Sequence, residues 1–130
     1  MTEFPFTTTV DVRYQDHDAI GHVNNAVYVT YLEEARVAYL AEYAGLSMET
    51  LSMVVAHLDV DFREPVQHAD SVEVAVDVTD VGGSSFTMAY EVRHEGSVAV
   101  EAESVQVTVD ADTGESHPVP KAWRQAFDDA

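Results

Sequence analysis

From Thr8 to Tyr14 apolar and polar positions alternate. Val10, Val12 and Tyr14 fall on one side, Asp11 and Arg13 on the other, the two-residue period of a half-buried strand. Gln15 to Val23 is polar, contains Gly21 and reads as a loop. The period then changes. Val27, Tyr31, Ala35, Ala38 and Tyr39 recur at helical spacing, with Asn24 placed to cap the first turn and Gly45 to stop the helix near Ala44. Polar residues are few along this stretch, so the helix is expected to be enclosed by other structure.

Four more strands follow by the same reading. Ala56, Leu58, Val60 and Phe62 alternate with polar residues until Pro65, and Val72, Val74, Val76 and Val78 repeat the pattern. After a turn at Gly82-Gly83, Phe86, Met88, Tyr90 and Val92 form the next apolar face, and Glu95-Gly96 suits a tight hairpin. From Val98 the apolar positions are even, then move to Val105, Val107 and Val109. Such a one-residue shift predicts a β-bulge. Asp112 to Gly114 reads as a turn and Pro120 to Phe127 as a short terminal helix. A strand, a long apolar helix and four strands make a two-layer α+β domain, an antiparallel sheet covering one helix. Its open edges invite pairing between subunits.

The chain has 130 residues, which suits one domain, and no segment reads as a linker or repeat. No apolar run reaches the roughly 20 residues of a membrane span. Met1 to Phe6 carries Glu3 and no basic region, so it does not read as a signal peptide. A cytoplasmic location is expected. Cysteine is absent, which excludes disulfides, thiolate metal ligands and cysteine nucleophiles. Charge changes the picture most. Asp and Glu number 24 against 6 Lys and Arg, a net charge of -18. Such a surface repels nucleic acid. The carboxylates are spread along the whole chain, which points to adaptation to high salt rather than to docking on a basic partner.

The chemistry is concentrated between Arg13 and Tyr28, where two carboxylates, two histidines, two amides and a glycine lie between a strand and a helix start. A helix N-terminus offers free N–H groups and a positive dipole end, able to hold the oxyanion of an attacked carbonyl. A nearby carboxylate can attack that carbonyl or deprotonate water. Bland readings stand beside this one. Asp16 and Asp18 suit Asx-turns, Asn24 and Asn25 suit a helix cap, and Gly21 suits a positive φ. His17 and His22 with the aspartates are also compatible with a metal site, though no recognised ligand spacing supports one.

The run Arg-Tyr-x-Asp-x-Asp-x-x-Gly-His-Val-Asn-Asn-x-x-Tyr, followed by Tyr31 and Glu33-Glu34-Ala35-Arg36, resembles the signature of hotdog-fold acyl-CoA thioesterases of the 4-hydroxybenzoyl-CoA thioesterase class. Asp61-Phe-Arg-Glu-Pro-Val66 and Asp70 resemble the family's second strand and the turn after it. The resemblance covers about Val10 to Val109. It implies a five-stranded antiparallel sheet wrapped around one long central helix, in a homodimer or homotetramer. It also implies hydrolysis of acyl-CoA without a cofactor or metal. By position, Asp18 matches the family's catalytic aspartate, acting as nucleophile or base. The N–H of Asn25 matches its oxyanion donor, and Tyr14 and His22 would line the site. Many relatives carry histidine where Asn25 stands, so here that position is expected to orient water or the acyl group.

Arg63 and Arg93 are candidates for CoA phosphates, although strand arginines more often form ion pairs. Tyr28, Tyr31 and Tyr39 suit core and acyl-pocket wall, with Tyr28 a candidate substrate contact. Glu33, Glu34 and Arg36 suit helix-surface or interface pairs. His57, His68, His94 and His117 suit surface or edge positions. Ser84-Ser85 lacks the strand-elbow-helix setting of a serine nucleophile. Two other functions are compatible with the same fold. One is an acyl-carrier-protein thioesterase, which the acidic surface disfavours; the other is a non-catalytic CoA-ester binding protein, which an intact Asp18 disfavours.

Overall fold

The computed structural model describes residues 4–46 and 51–129. Its elements are β1 (Phe6–Asp11), α1 (Val27–Ala38), β2 (Leu51–Phe62), β3 (Ser71–Val81), β4 (Ser85–His94), β5 (Ser97–Asp110) and α2 (Lys121–Asp129). The strands form one antiparallel sheet in the order β1-β3-β4-β5-β2. Helix α1 lies over β1 and β3. Its Tyr28, Tyr31, Leu32 and Ala35, with Tyr39 just beyond its end, are buried against Val74 and Val76 of β3 and Met88, Tyr90 and Val92 of β4. Each such large side chain removed from water contributes about 1.5–3 kcal/mol. Helix α2 extends the cover, packing Trp123 and Phe127 on Phe86.

The first strand ends at Asp11 rather than at Tyr14. Asp16 accepts the Arg13 N–H at 2.9 Å and folds the chain into a short 3-10 turn, Tyr14–Asp16. Tyr14 is therefore turned outward and is 92% exposed. Asn24 is not the N-cap, which falls on Ala26 without a side-chain bond; Asn24 instead forms the turn that leads into the helix. Its side-chain oxygen accepts the Ala26 N–H at 2.9 Å, its carbonyl accepts that of Val27 at 3.0 Å, and regular helix begins at Val27. Beyond Ala38 the helix widens into a π turn, Tyr39–Tyr43, before Gly45 takes a φ of +68°.

The apolar phase of β5 is not what its valines suggest. No bulge interrupts the pairing of Val100–Val107 with β4, and the core-facing positions are Val100, Ser104, Gln106 and Thr108. The buried polar residues are satisfied in series. Arg36, on the inner side of α1 rather than in a surface pair, donates to the Tyr90 hydroxyl at 3.1 Å. Tyr90 bonds Ser104 at 2.6 Å, Ser104 donates to the Gln106 carbonyl, and Gln106 donates to the Phe86 backbone oxygen at 3.2 Å. Extra residues in the ladders lie instead at Ala56 in β2, Thr79 in β3 and Ala99 in β5. Strand β2 sits at the sheet edge, and much of its apolar surface stays open: Val54, Val55, Leu58 and Phe62 are exposed, while Met53 and Val60 pack partly against the core.

Candidate active site

The loop between β1 and α1 is built on a buried carboxylate. Asp16 is 1% exposed and receives the Arg13 N–H, the Arg13 guanidinium and the Tyr31 hydroxyl, the last at 2.8 Å from inside α1. Burial alone would raise its pKa. The bonds from Arg13 and Tyr31 outweigh burial and hold the carboxyl below the usual aspartate value. Burial and the same bond push the Tyr31 phenol up. The Asp16 carbonyl also accepts the Asn24 N–H at 2.9 Å, which ties the loop to the helix start.

Asp18 is exposed by contrast. One carboxylate oxygen accepts the N–H groups of Ile20 at 2.9 Å and His22 at 3.1 Å; the other has no hydrogen-bond partner among the described residues. One oxygen therefore closes an Asx-turn, and the other is left open. Gly21 closes the turn with a φ of +79°, and a Cβ there would lie 2.4 Å from the His68 ring. A strap from the β2–β3 connection holds this loop from outside. Val23 donates to the Val66 carbonyl at 2.8 Å, His68 to the Gly21 carbonyl at 3.0 Å, and the His22 ring meets the Gln67 amide at 2.6 Å. His68 itself takes a left-handed φ of 46° to make that contact. Sequence patterning does not reveal the strap, because these pairings join segments far apart in the chain.

A cavity of about 440 Å³ opens between the loop, the start of α1 and the end of β2. Asp18, His22, Asn25, Tyr28 and Arg63 all line it. The Asn25 N–H has no acceptor among the described residues, so a donor is left at the helix start. Among the described residues the buried Tyr28 hydroxyl has no hydrogen-bond partner, and burial raises its pKa. Phe62, whose ring centroid is 5.8 Å from that of Tyr28, adds an apolar wall that side-chain chemistry alone did not single out. Tyr14 lines an adjoining hollow of about 510 Å³, shared with Asp18 and His68. Arg93 is elsewhere, in a hollow with Asp70, Glu73 and Glu95. Among the described residues no group of three or more His, Asp or Glu is placed to hold a metal ion.

Residues 12–127 match the model of the thioesterase-like superfamily. The chain belongs to that superfamily. Among its relatives, the acyl-CoA thioester hydrolase YbgC of Escherichia coli is 30% identical over 122 residues, covering 90% of this chain and 91% of that protein. A thioesterase from Thermus thermophilus, solved with coenzyme A and zinc, is 35% identical. It has a TM-score of 0.83 and covers 98% of this chain and 94% of its own. A thioesterase-superfamily structure from Jannaschia sp. superposes with a TM-score of 0.90 at 22% identity, covering 99% and 96%, and speaks for the fold alone. This superfamily member therefore has the hotdog fold, with its sheet around α1. No helix among its described residues is long and apolar enough to cross a membrane.

Proposed function

We propose that the protein hydrolyses acyl-CoA thioesters in the cavity beside the α1 N-terminus, as a relative of the 4-hydroxybenzoyl-CoA thioesterase class. One observation carries the reading: among the described residues the Asn25 N–H has no acceptor and one Asp18 oxygen has no partner, and both residues line the same cavity. The thioester carbonyl would point its oxygen at the Asn25 N–H, where the helix dipole adds to the hydrogen bond as negative charge develops. Asp18 then either attacks the carbonyl carbon, expelling the CoA thiolate and leaving a mixed anhydride that water hydrolyses, or takes a proton from a water that attacks the carbon and expels the same thiolate. The other Asp18 oxygen, held by Ile20 and His22, fixes the carboxylate in place. His22 and Tyr14 border the reacting group, Asn25 orients water or the acyl chain, and Tyr28 and Phe62 form the acyl wall. No cofactor enters these steps.

The proposal includes a homodimer or homotetramer, supported by the bare edge of β2 and by exposed Val29 and Val37 on α1. A cytoplasmic setting follows from the proposed substrate. The deciding variant is Asp18→Asn, which keeps the turn-forming oxygen and removes charge and basicity. Turnover of a series of acyl-CoAs is expected to fall by at least about a hundredfold while circular dichroism is unchanged. Near-normal turnover by the folded variant would remove Asp18 from the reaction. A single-turnover reaction in heavy-oxygen water separates the two routes, since only the nucleophile route leaves the label in Asp18.

A further inference from the structure

All six lysines and arginines of the sequence lie within the described residues, so the side-chain cations available to bind a phosphate can be followed one by one. Arg13 is held by Asp16. Arg36 is buried and donates to Tyr90. Arg124 donates to the backbone oxygens of Gly82, Gly83 and Val119. Arg63, at the cavity rim, places two nitrogens on Glu101 at 2.8 and 2.6 Å, with Asp61 at 3.9 Å. Arg93 lies between Glu91 at 2.9 Å and Glu73 at 3.4 Å. The last two clusters each carry more carboxylates than cations. A phosphate approaching either guanidinium must also approach the acids that hold it. Only Lys121 has no hydrogen-bond or ion-pair partner among the described residues. Assembly into a homo-oligomer adds copies of the same five engaged arginines and of Lys121 alone as an unpartnered side-chain cation.

We propose that the site reads the acyl group, the thioester and the pantetheine arm, and gains nothing from the nucleotide phosphates of coenzyme A. This rests on the hydrolase reading above and names what part of the substrate that site recognises. The nucleotide is then a net burden at low salt, because a polyanion must approach a surface of charge -18. A thioester of uncharged pantetheine with the same acyl group escapes that repulsion.

The test compares kcat/KM for an acyl-CoA and the matching acyl-pantetheine from about 0.01 M to 1 M KCl, where screening lengths fall from about 30 to 3 Å. Taking the ratio of the two cancels any loss of folded enzyme, which affects both substrates equally. The expected ratio of CoA to pantetheine ester lies below one at the lowest salt and rises by about tenfold toward the highest. A ratio above one at the lowest salt, or one that falls as salt is added, means that cations grip the nucleotide and overturns the proposal. If neither ester is cleaved faster than in buffer without the protein, the hydrolase reading fails and takes this one with it.

Discussion

Asp16 and Asp18 share one loop and one side-chain chemistry, yet one is sealed inside and the other faces the cavity. The motif marked both. What separates them is the Tyr31 hydroxyl, fifteen residues on, which reaches Asp16 from α1. No local pattern encodes that contact, so the sequence left Asp16 as a simple turn former. Its energetics are testable. A carboxyl whose folded pKa is depressed adds stability that is complete above its ordinary value of 3.8 and is lost as pH falls through the folded value. Asp16→Asn keeps the shape but weakens the bonds from Arg13 and Tyr31, and should cost about 2–3 kcal/mol at neutral pH. Denaturant melts of the two proteins across the acid range should show that gap closing below pH 3.8. A gap that is constant with pH would mean that the charge on Asp16 contributes nothing.

Among the elements, β1, α1, β3 and β4 were legible because one face of each meets the core at the expected period. The reading failed where polar residues turn inward. Ser104, Gln106 and Thr108 occupy core positions of β5 because each finds a partner, while Val105 and Val107 point the other way. A pattern of apolar residues cannot register a hydrogen-bonded core. Strand β2 shows the opposite case, a clear alternation on a strand that this chain alone leaves largely uncovered. A long apolar edge is a pairing site. Leu58→Asp should therefore weaken self-association by at least about 2 kcal/mol, or about thirtyfold in Kd. Light scattering over a concentration series measures this, and an assembly indifferent to the substitution would place the interface elsewhere.

For the whole molecule, charge dominates. A net charge of -18 on one domain of this size costs self-repulsion, and any assembly concentrates it. Five of the six cations already hold protein groups, which leaves the remaining carboxylates to be screened by solution ions. Between about 0.01 M and 1 M salt the melting temperature should rise. Each kcal/mol regained moves Tm by about 4 °C in a domain this size, and the rise should be at least that large. A flat or falling Tm in calorimetry at graded KCl would sink the high-salt reading and reopen that of a basic partner.

The series running from Arg36 through Tyr90, Ser104 and Gln106 to the Phe86 carbonyl also constrains how this sequence can drift. Each member both gives and takes, or caps one end, so losing one strands its neighbour in the dry interior. Exchanging all of them for apolar groups of matching shape is far less costly than exchanging any one. Neutral change must therefore cross these four positions as a block. Single-step variation should be filtered out there, even though none of the four lines the cavity beside the α1 N-terminus. This buried series is then resistant to gradual change for a reason that involves no substrate.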